Sequence, residues 1–193
     1  MTLTDILVPT YVQMLKALSG WLGKAQAQLP DGAAEALLSA RLAPDMFPLS
    51  TQIRFACVQA QEGVFRLKGE AFPASMDVLL DEGRNAGGHP GSIADAQARI
   101  AETISLVESA AAEAFDEDPE RAIAHSLPMG MVFDLTAEQY ARDWALPQFY
   151  FHLMIAYAIL RGGGVELGKA DYVAHMFAYL RPGTMPSSGH NPR

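Results

Sequence analysis

A single cysteine, Cys57, among 193 residues leaves no partner for an internal disulfide and no set of thiols for a zinc centre. Basic residues are also scarce. Fourteen Lys and Arg against 22 Asp and Glu give a formal net charge of −8 and a pI near 5.0. Phosphate backbones and anionic lipid surfaces are gripped by clustered Lys and Arg, so neither a nucleic acid nor a membrane is an expected partner. The longest apolar run, Leu153 to Leu160, is far short of the ~20 residues that cross a bilayer. Met1 to Asp5 lacks the basic region of a signal peptide, and the expected location is the cytoplasm. No phosphate-binding glycine loop, Ser-His-Asp order or paired-carboxylate motif occurs. Gly162 to Gly164 follows a helical pattern instead of a strand and does not qualify.

What is present is helical periodicity. Leu7, Tyr11, Leu15, Leu18, Trp21 or Leu22, and Ala25 recur every three or four residues, predicting a first helix from about Val8 to Gln28 with Pro9 in its first turn. Ala33 to Arg41 reads as a short helix or helical turn. Asp45 is the expected cap of a second long helix, with Pro48 in the first turn, an apolar stripe from Leu49 to Leu67, and Gly69 closing it. Cys57 lies near that stripe and reads as a small buried hydrophobe. Ala71 to Gly91 holds Phe72-Pro73, Gly87-Gly88 and Pro90-Gly91. It reads as a long crossover loop with a turn of helix at Met76 to Leu80. Ser92 with Asp95 resembles a capping box opening a third helix to about Ala114. Asp118-Pro119 reads as the start of a short helix, and Met129 to Leu135 as strand or coil. Thr136 with Gln139 repeats the capping pattern and leads through Trp144 into a fourth helix, Pro147 to Arg161, expected to be a kinked continuation. Apolar residues occupy nearly every side of that helix, which predicts that it is the most buried of the four. Tyr172 to Leu180 reads as a last short helix. One domain over residues 1–181 and a flexible tail over 182–193 are expected. The fold class is therefore all-α, a four-helix bundle with a long crossover and short extra helices.

Two stretches carry a family resemblance. One runs Arg41-Leu42-Ala43-Pro44-Asp45-Met46-Phe47-Pro48-Leu49, with Gln52 after it. The other runs Leu146-Pro147-Gln148-Phe149-Tyr150-Phe151-His152, then Ala156-Tyr157, Leu160-Arg161, Gly164-Val165 and Leu167-Gly168-Lys169 with Asp171. They resemble a bacterial domain-of-unknown-function family that is similar to the DinB and YfiT-like superfamily of four-helix bundles. The resemblance implies a divalent metal held by three histidines, two of them four residues apart on the last bundle helix. Here His152 is the only candidate, because Gln148 and Ala156 stand four residues to either side. His89, His125, His175 and His190 make no metal-ligand spacing, and Gln52 is a poor ligand for nickel or zinc.

The candidate pocket residues are His152, Tyr150, Tyr157, Asp45, Gln52 and Lys169. His152 reads either as a core histidine satisfied by one hydrogen bond or as a ligand beside an inter-helix pocket. Tyr150 and Tyr157 lie two helical turns apart on one face. Lys169 is a candidate partner for Asp45, Asp171 or an anionic ligand, whereas Arg161 needs no role beyond a helix C-terminus. The expectation is a non-catalytic module that binds a small ligand or a partner, works as a homodimer and needs no cofactor. The alternative is a metal-dependent enzyme resembling the superfamily's thiol transferases or hydrolases. Both require His152, Tyr157 and the Asp45–Gln52 segment to converge in one core.

Overall fold

The computed structural model describes residues 2–110 and 118–184. Four long helices form the bundle: α1 (Leu3–Gln28), α3 (Leu49–Lys68), α5 (Ile93–Ala110) and α7 (Leu146–Gly162). Each of α1 and α3 packs against both α5 and α7, so α1 and α3 sit on one diagonal. α1 starts five residues before the expected Val8. A capping box between Thr2 and Asp5 opens it, with Asp5 N–H donating to Thr2 Oγ1 at 3.1 Å. Pro9 consequently lies inside the helix, giving up one ladder bond in an early turn. The periodic residues, with Met14 added, are all buried.

The short α2 (Ala33–Ala36) and a 3₁₀ turn (Leu37–Ser39) lead to α3. The residue preceding α3 is Pro48, whose extended backbone starts it without a side-chain cap. Asp45 is three residues upstream, exposed in a turn, so its capping assignment is corrected. Gly69, at φ 70°, ends α3 as expected. α3 buries 14 of its 20 residues, whereas α7 buries seven of 17. The expected first place of α7 thus goes to α3, and α7 comes second, ahead of α1 and α5. α3 is enclosed because α4, α5 and α7 all pack on it.

α4 (Ala74–Asn85) occupies the stretch expected to be mostly loop. It buries only Met76, Leu79 and Gly83, a stripe too thin to stand out. Gly83 permits the close approach: a Cβ there would meet the Phe55 ring at 2.6 Å, and Thr51 Oγ1 donates to the Gly83 carbonyl at 2.8 Å. The Ser92–Asp95 cap opens α5, whose first N–H also donates to Glu35 Oε2 of α2 at 2.9 Å. The expected end near Ala114 falls outside the described residues.

Asp118-Pro119 opens a turn, not a helix, and feeds β1 (Ala122–Ser126). β2 (Val132–Thr136) pairs with it antiparallel, so His125 faces Phe133 across a hairpin turned at Gly130. α6 (Ala137–Gln139) begins with the expected Thr136 capping box. A π-helical stretch, Tyr140–Ala145, joins it to α7. Pro147 has no N–H for the ladder and its ring crowds the carbonyl four residues back; the wide π turn relieves both problems. α8 (Lys169–Tyr172) and a 3₁₀ stretch (Ala174–Tyr179) replace the single helix expected over Tyr172–Leu180. The tail is described only through Thr184. No helix among the described residues is long and apolar enough to cross a membrane.

Candidate functional site

α3 and α7 run antiparallel, which brings Gln52 on the first turns of α3 beside His152 in the middle of α7. Gln52 Nε2 donates to the Phe47 carbonyl at 3.2 Å. A carbonyl can only accept, so this contact sets the amide orientation and aims Oε1 at the imidazole. His152 Nδ1 lies 2.8 Å from that oxygen and must be the protonated nitrogen. Nε2 is then a free lone pair. It has no hydrogen bond among the described residues and is not among the fully enclosed polar atoms, so it opens toward the surface. Burial pushes the His152 pKa down to about 4, which keeps the ring neutral at ordinary pH.

The imidazole is flanked edge-to-face by Phe55 and Phe151, both with ring centroids at 5.3 Å, and Phe47 packs on Phe55 at 5.6 Å. Phe151 is 56% exposed, Phe47 50% and Met154 42%. Pro147, Phe151, Met154 and Ala158 follow one another at spacings of four, three and four along α7. They form an apolar outer stripe opposite the buried Phe149, Leu153, Ala156 and Leu160. No charged residue occurs from Leu146 to Leu160.

The other expected pocket residues do not join His152. Tyr157 is turned about 140° from it around the helix and packs on Trp21 of α1 at 5.2 Å and Tyr172 at 6.1 Å. Tyr150 lies against Phe149, half-buried, with its hydroxyl pKa raised by burial. Asp45 is exposed in its turn. Lys169 is exposed at the start of α8, and the Asp171 partner is Lys24, at 2.5 Å. The convergence expected of His152, Tyr157 and the Asp45–Gln52 segment therefore reduces to His152 and Gln52. Cys57 is fully buried, its thiol pKa pushed up to about 12 by desolvation, and is no nucleophile.

A divalent metal does not fit at His152. Nε2 would be a single donor, the ring's neighbours are phenylalanines, and among the described residues no three His, Cys, Asp or Glu side chains converge to hold an ion.

A second polar group went unread in the sequence. His125 of β1, Glu62 and Arg66 of α3, and Tyr140 and Trp144 of the π stretch meet at the far end of the same seam. The His125 ring lies 4.4 Å from Trp144 and 5.4 Å from Tyr140, and Nδ1 is 4.0 Å from Glu62 Oε1. Arg66 pairs with Glu62 at 2.8 Å and lies over Tyr140. Both His125 ring nitrogens, Tyr140 Oη and Trp144 Nε1 are enclosed without a hydrogen-bond partner. Desolvation, with Arg66 adding to it against Glu62, lowers the His125 pKa. The i,i+4 pairs Glu62–Arg66 and Tyr140–Trp144 were visible signals, but strand β1, which delivers His125, was not.

A family model described as a domain of unknown function, DUF1993, matches residues 3–173. The crystal structure of a DinB family member protein from Shewanella denitrificans is 31% identical in sequence. It has a TM-score of 0.68, and the match covers 95% of this chain and 96% of that one. None of the curated proteins compared with the chain matches it.

Proposed function

The chain belongs to the DUF1993 family, and on that premise we propose that it is a non-catalytic binding module whose docking surface is the outer face of α7 with the flanking Phe47, occupied by a second copy of the chain. The carrying observation is the uncharged, half-exposed stripe of Phe151 and Met154 on an otherwise acidic protein. A helix apolar on both sides belongs in an interior. Two copies of net charge −8 repel almost everywhere else, so the neutral face is where they approach at least cost. A 4-3-4 stripe is self-complementary about a twofold axis in an antiparallel helix pair. α7 is about 25 Å long and about 10 Å wide and supplies roughly 250 Å² by itself. Stable interfaces use about 800 Å² per partner. Phe47, packed on Phe55, extends the patch, and the association in this reading is weak, with a micromolar dissociation constant.

In this reading His152 and Gln52 lock the aromatic rim, and no cofactor is needed. Sedimentation velocity across micromolar to millimolar protein tests it. Phe151→Lys and Met154→Lys should each leave a helical monomer by circular dichroism, while Val78→Lys on exposed α4 should leave the dimer intact. A wild type that stays monomeric throughout, or a Phe151→Lys protein that dimerises as well as wild type, sinks the reading.

A further inference from the structure

The β1–β2 hairpin has one side turned to the bundle and one turned away. Ile123 and His125 on β1 pair with Leu135 and Phe133 on β2, and all four side chains lie on the bundle side. Leu127 N–H donates to the Met131 carbonyl at 2.8 Å, which extends the ladder by one pair and puts Leu127 and Met131 on that side too. Burial fades along it toward the tip. Ile123 and His125 are buried, Leu127 and Leu135 are half-buried, and Phe133 and Met131 are 41% and 47% exposed. The hairpin therefore leaves the bundle at Trp144, on which the Phe133 ring packs at 5.9 Å, and its tip overhangs with an apolar underside. No charged residue occurs from Ala122 to Phe133. Trp144 precedes Phe151 by seven residues, about two helical turns, so the overhang stands at the N-terminal end of the α7 stripe.

We propose that this underside is an arm that grips the C-terminal half of the α7 stripe on a second copy of the chain. The inference rests on the dimer reading and adds to it a contact of different chemistry, a hairpin on a helix. In an antiparallel pair of α7 helices crossing at Phe151 and Met154, Pro147 of one copy stands opposite Ala158 of the other. Trp144, one turn further on, stands opposite Arg161. The arm beside Trp144 therefore reaches the other stripe at Ala158, whose small side chain leaves room for Met131. A flexible thioether suits such an imprecise fit, and the twofold axis supplies the contact twice. Area argues for the same occupant. The α7 stripe offers only roughly 250 Å² against the about 800 Å² per partner of a stable interface. Large side chains of about 200 Å² apiece, nearly half exposed at Phe133 and Met131, add roughly 200 Å² directly beside it.

Sedimentation velocity of the full chain reads the arm through charge-neutral variants. Met131→Gln should raise the dimer dissociation constant at least about fivefold. Val132→Gln, on the side of the hairpin turned away from the bundle, should change it less than about twofold. A second measurement does not depend on the folding of a polar variant. Cys57 is buried, so thiols introduced elsewhere can be followed alone. Met131→Cys protein mixed with Ala158→Cys protein should give a disulfide-linked pair of one chain of each kind on mild oxidation. Neither protein alone should link efficiently. A wild type that dimerises while Met131→Gln dimerises equally well, with no mixed cross-link, overturns the arm and leaves the α7 contact standing. A wild type that remains monomeric overturns both.

Discussion

Gln52 and His152 settle each other's state through one hydrogen bond, and the consequence is a pH dependence with a definite sign. The folded-state pKa of His152 is about 4, below its ordinary 6.5, so the native state favours the neutral ring. As pH falls below about 6.5 the unfolded chain takes up a proton that the folded chain refuses. Stability drains until about pH 4 and this group removes no more below that, the whole effect amounting to about 3 kcal/mol. Gln52→Glu should reverse the logic, because a carboxylate 2.8 Å from Nδ1 favours the imidazolium. An NMR titration should move the His152 midpoint from about 4 to above the ordinary histidine value. A midpoint unchanged in Gln52→Glu would show that the pair is not formed. Gly83 makes a packing case at the same scale. Alanine usually improves a helix interior, yet here its Cβ would stand 2.6 Å from Phe55. Gly83→Ala should therefore cost about 1–3 kcal/mol in urea unfolding, and because Phe55 flanks His152 it should also shift the His152 signals.

Among the elements, the short α2 owes its importance to one side chain. Glu35 crosses to cap α5, accepting from Ile93 N–H at 2.9 Å, where a negative charge also faces the positive end of a helix dipole. Glu35→Ala should cost about 0.5–2 kcal/mol, and Glu35→Gln less, as read by chemical denaturation. Equal stability of wild type and Glu35→Ala would mean that the Ser92–Asp95 box carries the cap alone. The same element scale separates what was legible in the sequence from what was not. The stripes of α1 and α3 and the Ser92 and Thr136 capping boxes were readable because helix periodicity and N-cap chemistry are local. α4 was not, because its buried stripe ends in a glycine whose value lies in the approach of Phe55 from another helix. β2 falls within the strand-or-coil reading of Met129 to Leu135, whereas β1 is not legible because Ile123 and His125 alternate over only five residues. Asp45 looked like a cap by residue type alone, and the chain instead entered α3 at Pro48. Of the candidate site, the His152–Gln52 contact followed from placing both on facing helices. Tyr157 was misplaced because a five-residue step turns a helix to a different side.

At the scale of the whole molecule, charge and apolar surface act against each other, and that conflict yields a measurable sign. Each copy carries a formal −8, so the long-range field opposes self-association at every distance beyond contact. The proposed contact face, Leu146 to Leu160, contributes no ion pair that salt could weaken. Screening therefore removes repulsion and costs the interface nothing. Raising salt from about 0.05 to about 0.5 M shortens the screening length severalfold, and the dimer should tighten, roughly two- to tenfold in dissociation constant by sedimentation. Interfaces built on salt bridges respond in the opposite direction, with affinity falling as salt rises. Adding a lysine at Phe151 lowers the repulsion slightly as well as spoiling the stripe, so Phe151→Ser is the cleaner control. It keeps the net charge at −8, and its salt response should vanish together with the dimer. A wild-type dimer that weakens in high salt would place the contact on a charged surface elsewhere, and the exposed face of α7 would then need another occupant.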